Sequence, residues 1–210
     1  MKTDRTRLRR MHERGHYDHE TIYKVLDAGR QCSVGYVFKG APYVTPTIHW
    51  REGNRVYWHG SSASQMLRAA NGADVCLTVA LLDGYVMARS GMHHSVNTRS
   101  VMLFGRAEKV ADAEKEAKMK IMVDGLFPGR WDMLRPATAQ EIKATTILSM
   151  EIDEGAAKIR TGPPGDDEED YALPIWAGVI PVRTVVEAPV DDPRNLPDMT
   201  PPDHVTAFRG

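Results

Sequence analysis

The spacing of apolar positions changes several times along the chain, and each change predicts an element. Between Asp18 and Gly29, Ile22, Val25 and Leu26 recur at i, i+3 and i+4, and Gly29 follows them as a C-cap, which predicts a short amphipathic helix. The spacing then shortens to that of strands. Residues 32–38, 43–50 and 55–59 are apolar and aromatic runs separated by Lys39-Gly40 and Glu52-Gly53-Asn54, the pattern of an antiparallel meander. Pro42 and Pro46 cannot donate to a ladder, so the second of these strands is expected at an edge.

Further on, residues 65–72 read as a helix of about two turns ending on Asn71-Gly72. Residues 75–82 form a near-continuous apolar strand, and Asp83-Gly84 predicts a hairpin into residues 85–90. A strand over 100–110, a helix over 112–123 and a capping box at Thr138-Ala-Gln-Glu follow, then strands over 146–152, 156–160 and 179–186. Strands do not alternate with helices, which argues against a doubly wound parallel sheet. The predicted fold is mainly β, an antiparallel barrel, closed or half-closed, with peripheral helices. Three regions are expected: a polar N-terminal arm (1–17), the barrel domain (18–188) and a Pro-rich, extended C-terminal tail (189–210).

Composition narrows the classes without naming a function. The 210 residues are 42% hydrophobic and 26% charged with a formal net charge of -1, so nothing drives the chain toward nucleic acid or an anionic membrane. No apolar run is long enough to span a membrane, and the first residues lack the apolar core of a secretory signal. Cys32 and Cys76, the only cysteines, sit in apolar runs and read as small core residues of a cytoplasmic protein.

Trp58-His-Gly-Ser-Ser-Ala-Ser64 is the most informative local feature. A strand ends in glycine and runs into serines at a helix start, where free N–H groups and hydroxyls suit a phosphate; the bland alternative makes Ser61 or Ser62 a simple N-cap. His93-His94 reads first as a polar connection, because successive residues of an extended chain face opposite sides. His12, His16 and His19 would align on a helical face, but Gly15 interrupts it. The acidic run 166–170 lacks calcium-loop spacing and reads as a solvated loop. No nucleophile motif is evident, so catalysis would rest on a bound cofactor.

In order, PYVTPTIHW, RVYWHGSSASQML, DVCLTVALLDGYVMARS, RSVMLFGRAEKV, KIRTGPP and WAGVIPV resemble the pyridoxamine 5′-phosphate oxidase-related FMN-binding split β-barrels, from about Asp18 to Val186. Within that family the chain most resembles the flavin-nucleotide-binding branch that includes nitroimidazole-resistance proteins. The resemblance implies a homodimer with FMN at the subunit interface. It implies flavin-ring contacts at Val44, Thr45, Pro46 and Thr47, phosphate contacts at His59, Gly60, Ser61, Ser64 and Gln65, and a polar contact at Ser100 beside Arg99.

Two departures qualify this. Relatives commonly carry Arg or Lys where Gln65 stands, so one phosphate charge lacks its counterpart, and Arg68 lies one helical turn further on. The Arg-Leu-His motif that grips substrate in pyridoxine phosphate oxidases is absent after Trp176, so vitamin B6 oxidation is not expected. The leading expectation is an FMN-dependent oxidoreductase acting on an unassigned small molecule, with NADH or NADPH as a possible electron donor. The alternatives are a flavin-storing or flavin-sensing module, or a haem-binding relative using His93 or His94.

Overall fold

The computed structural model describes residues 1–209, which divide into two units: Met1–Val110 with Thr145–Arg183, and Ala111–Ala144 with residues 184–209.

The first unit is an antiparallel split β-barrel. Its chain runs β1 (Gly15–His16), α1 (His19–Ala28), β2 (Gln31–Phe38), β3 (Ala41–Glu52), β4 (Arg55–Ser61), α2 (Gln65–Ala70), β5 (Asp74–Met87), β6 (Ser95–Arg106) and β7 (Glu108–Lys109). After the second unit's α3 (Lys115–Leu126) and α4 (Ala139–Ala144), β8 (Thr145–Glu151), β9 (Glu154–Arg160) and β10 (Gly178–Pro181) complete it. The strands follow the order β1-β9-β6-β5-β2-β3-β4-β8-β7, with β10 added to β5.

β3 serves both halves of the split. Residues 41–48 pair with β2, whereas His49 to Glu52 pair with Trp58 to Arg55 of β4. Beyond His49–Trp58 the two strands part, so residues 41–48 keep one open edge among the described residues. Here the proline argument finds its reason. His49 donates its N–H to the Arg30 carbonyl, so odd-numbered positions face β2 and even-numbered ones face the opening. Pro42 and Pro46 therefore sit where β2 asks for no donor.

The interior is closed by Ile22, Val25 and Leu26 of α1 and by Val34, Val56, Trp58, Leu77, Leu103 and Leu148 of the strands, all at most 2% exposed. Asp18 caps α1 by accepting from the Thr21 N–H at 2.8 Å. Gly29 does not terminate that helix in a left-handed conformation; it has φ -111, and a Cβ there would lie 2.6 Å from Val79 Cγ1. Close packing of the helix end on β5 is what requires glycine.

Several expectations change. Asp83-Gly84 makes no hairpin: β5 runs unbroken through it, with a register shift between Leu82 and Gly84. Two contacts hold the chain straight. Asp83 accepts both hydrogen bonds of Arg99, and β10 pairs with residues 84–87, its Ile180 carbonyl 3.0 Å from where a Gly84 Cβ would stand. The strand expected over 179–186 shortens to Gly178–Pro181.

The N-terminal arm is packed, not loose. Thr6 is buried, the Arg5 guanidinium stacks 4.5 Å over Phe104 and pairs with Glu154, and Gly15 and His16 pair with β9. His12, His16 and His19 fall in a 3-10 turn, a strand and α1, so no helical face joins them.

In the second unit the Thr138 capping box forms: Thr138 N–H donates to Glu141 Oε2, and Glu141 N–H donates back to Thr138 Oγ1. The tail does not stay extended throughout, because α5 (Asp203–Thr206) brings Phe208 to within 4.9 Å of the Phe127 ring centroid.

Candidate functional site

The opening between β3 and β4 gathers most of the expected residues. Along the free edge of β3, Val44 and Ile48 direct N–H and carbonyl groups outward, while Pro42 and Pro46 contribute carbonyls only. Val44 is 70% exposed, an unusual state for a valine in the middle of a strand. Thr45 points the other way, its Oγ1 3.4 Å from the Tyr36 hydroxyl, and Thr47 lies on the same side, opposite Cys32.

Facing this edge, β4 ends in His59, Gly60 and Ser61, held in register by Ile147, Thr146 and Thr145 of β8. Burial pushes the His59 imidazole below its usual pKa, so the ring is neutral at physiological pH. Its Nδ1 is buried with no partner among the described residues, and the ring meets Trp50 edge-on at 5.9 Å. Gly60 packs closely on α2, where a Cβ would lie 3.2 Å from Leu67 Cδ1.

The serine turn is not the simple cap of the bland reading. Ser61 Oγ accepts from Ala63 N–H at 3.2 Å, but the N-cap residue is Ser64, whose hydroxyl makes no capping bond. The half-buried Ser64 and the exposed Ser62 and Gln65 stand beside a cation. Arg68 folds back and donates to the Ala63 carbonyl at 2.5 Å, bringing to the turn the positive charge that Gln65 lacks.

The third element separates the two residues expected together. Pro46, Ser33, Thr78 and Met102 stand opposite one another across β3, β2, β5 and β6. Ser100 therefore shares the outer face with Val44 and Pro46, about three strand spacings or ~14 Å away. Arg99 faces the opposite side and donates to Asp83 at 2.8 and 2.7 Å, so its charge is already matched. Thr78, on that same outer face, was hidden in sequence within an apolar run; only strand parity singles it out.

The histidine pair diverges. Nδ1 of His94 donates to the Ser90 carbonyl at 3.0 Å, a bond that fixes the tautomer and leaves the exposed Nε2 with its lone pair free. His93 turns toward Asp166, with Nδ1 3.9 Å from Oδ1. Asp166 is not a solvated residue of an acidic run. Its side chain is fully buried, and its two oxygens accept the backbone N–H and the guanidinium of Arg89, both at 2.9 Å. His93, Asp166 and Asp170 bring ligand atoms within 4.8 Å of one another, but the guanidinium makes this an ion-pair latch.

The arrangement is a split barrel with a splayed β3–β4 strand pair and a hydroxyl-rich turn at the end of β4. The family model for pyridoxamine 5′-phosphate oxidase matches residues 18–159, and the chain belongs to that family. Among solved structures, the flavocytochrome Anf3 from Azotobacter vinelandii is 53% identical with a TM-score of 0.95, over 99% of this chain and 97% of that one. The FAD and haem binding protein from Mycobacterium smegmatis is 34% identical with a TM-score of 0.90, over 94% and 98%. A candidate 5-nitroimidazole resistance protein from Bacteroides thetaiotaomicron, 21% identical with a TM-score of 0.56 over 69% and 86%, shares the fold. No curated protein matches the chain.

Proposed function

We propose that this chain is a flavin-binding redox protein that also carries haem. The observation that carries the reading is its 53% identity, along nearly its whole length, with a flavocytochrome, on a fold whose β3–β4 opening has the donors a flavin needs. For the flavin the fit rests on the Val44 N–H and carbonyl at the open edge, the uncommitted Ser64 hydroxyl and the Arg68 guanidinium beside the turn. For haem it rests on His94, whose Nδ1–H bond to a backbone carbonyl is the arrangement that orients metal-ligating histidines.

FAD is preferred over FMN, because the Mycobacterium relative is described as binding FAD and FMN is supported only by the wider family resemblance. When bound, the flavin and haem supply the electron-transfer chemistry. The chain's own part is to orient the ring along the β3 edge, hold the phosphate at the turn and leave one ring face open to a small molecule, with NADH or NADPH as the candidate donor. Vitamin B6 oxidation is not part of this function.

A homodimer fits the outer face. Val37, Val44, Leu82 and Met102 are 63%, 70%, 40% and 46% exposed on that one side, and such patches mark association surfaces. A ring contacting both Ser100 and the 44–47 edge would span about 14 Å within one subunit, but lies naturally between two copies. Among the described residues no helix is long and apolar enough to cross a membrane, and a cytoplasmic location accords with two free cysteines.

The test is an absorbance spectrum of gently purified protein, with chromatography of the released flavin and light scattering for mass. Flavin bands with a haem Soret band, FAD on release and a dimer mass support the reading; colourless protein after soaking with FAD, FMN and haemin overturns it. Adding NADH or NADPH anaerobically then separates a reductase, which bleaches, from a storage or sensing module, which does not.

A further inference from the structure

A cavity of about 300 Å³ lies between the N-terminal arm and the outer face of β5, β6 and β9. The arm wall comprises Arg5, Thr6, Arg7 and Leu8, and it is fixed in place. Arg5 is paired with Glu154 and stacked on Phe104, and Leu8 N–H donates to the Tyr17 hydroxyl at 2.9 Å. The floor combines the apolar Met102 and Ala156 with the hydroxyl-bearing Thr78 and Ser100. Lys158 stands at the rim, exposed and without an ion-pair partner among the described residues. Arg7, also lining it, is opposed only by Asp4, which is 92% exposed.

The chemistry is therefore apolar below and cationic at the rim, with hydroxyl donors between. We propose that this cavity binds a small organic anion, a flat apolar body bearing a carboxylate or a phosphate. Met102 packs against the body, and Lys158, with Arg7 and the hydroxyls, holds the anion. A charged amine meets a carboxylate or phosphate about twice as strongly as a neutral donor does. The inference meets the flavin and homodimer reading at Ser100 and Met102, which belong to both places. The anion has two sources, a separate molecule or a carboxylate or phosphate arm of the bound cofactor.

The experiment is calorimetric titration of the full chain with benzoate and with phenyl phosphate, benzyl alcohol serving as the uncharged control. The cofactor content of each sample is read by absorbance. Expected is binding of both anions but not of the alcohol, at least about tenfold weaker in Lys158→Ala and lost in Met102→Trp, which fills the cavity. Binding by cofactor-replete protein assigns the site to a separate molecule. Binding only after the cofactor is stripped assigns it to the cofactor's own anionic arm. Binding by a protein that takes up no flavin or haem upholds the cavity and removes the cofactor reading. No binding before or after stripping, or equal binding by Lys158→Ala, overturns the inference.

Discussion

Arg99 of β6 donates two hydrogen bonds to Asp83 of β5, at 2.8 and 2.7 Å, across the point where β5 was expected to turn. The pair sits at the register shift between Leu82 and Gly84 and pins the irregular stretch to its neighbour. The side chains are 39% and 31% exposed, so solvent screens much of the attraction. A double-mutant cycle with Arg99→Ala and Asp83→Ala is expected to give a coupling of about 1 kcal/mol in urea unfolding. Flavin content should stay unchanged in both variants; loss of flavin in Arg99→Ala would restore that residue to the binding site.

The glycines separate into two kinds. At Gly155 a Cβ would lie 2.6 Å from Leu103 Cδ2 and 2.8 Å from the Met102 carbonyl, and the backbone cannot give way. Gly155→Ala is expected to cost roughly 2 kcal/mol by overpacking. At Gly91 nothing lies within 4 Å, so Gly91→Ala should stay within about 0.5 kcal/mol of the parent in the same denaturant titration.

The barrel and the β3–β4 opening were legible because their signals are local: apolar runs of strand length, and two prolines sited where one edge lacks a partner. Where tertiary contacts decide, the local signal misled. Asp83-Gly84 has hairpin chemistry, yet Arg99 and β10 recruit it to a continuous strand. The acidic run looked solvated, yet Arg89, 77 residues earlier, draws Asp166 out of water. A polar contact was expected at Ser100 with Arg99 beside it, but adjacent strand residues face opposite sides, and the pairing with Asp83 reveals which side Arg99 takes.

Acid sensitivity follows from two histidines. Burial holds His49 and His59 below the ordinary value of 6.5. Below that value the unfolded chain binds more protons than the folded one, so stability falls as pH drops through 6.5 toward the lower folded values, and it rises with pH in that window. Urea midpoints should therefore be lower near pH 5 than near pH 7.5. His59→Gln and His49→Gln should each flatten the slope; an unchanged slope in both would assign the acid response to other groups.

Phosphate at the serine turn makes a directional prediction. Gln65→Arg adds a second cation beside the one Arg68 supplies, and flavin affinity should tighten by about tenfold. Arg68→Ala removes the cation that donates to the Ala63 carbonyl and should weaken affinity by a similar factor. Fluorescence titration of stripped protein reads both. Unchanged or weaker binding by Gln65→Arg would move the phosphate away from residues 61–65.

The adjacent histidines are distinguished by their partners. His94 has Nδ1 tied to the Ser90 carbonyl and Nε2 exposed, whereas His93 turns toward the buried Asp166. An axial ligand needs an accessible ring nitrogen, and of the two His94 presents its Nε2 in an orientation fixed by the Nδ1 hydrogen bond. His94→Ala is expected to lose the Soret band while retaining flavin, and added imidazole should restore it. His93→Ala should keep the haem, because the His93 ring turns its Nδ1 toward the buried Asp166, 3.9 Å from Oδ1. Loss of the Soret band in His93→Ala but not in His94→Ala would reverse the assignment, and its retention in both would place the iron on another residue.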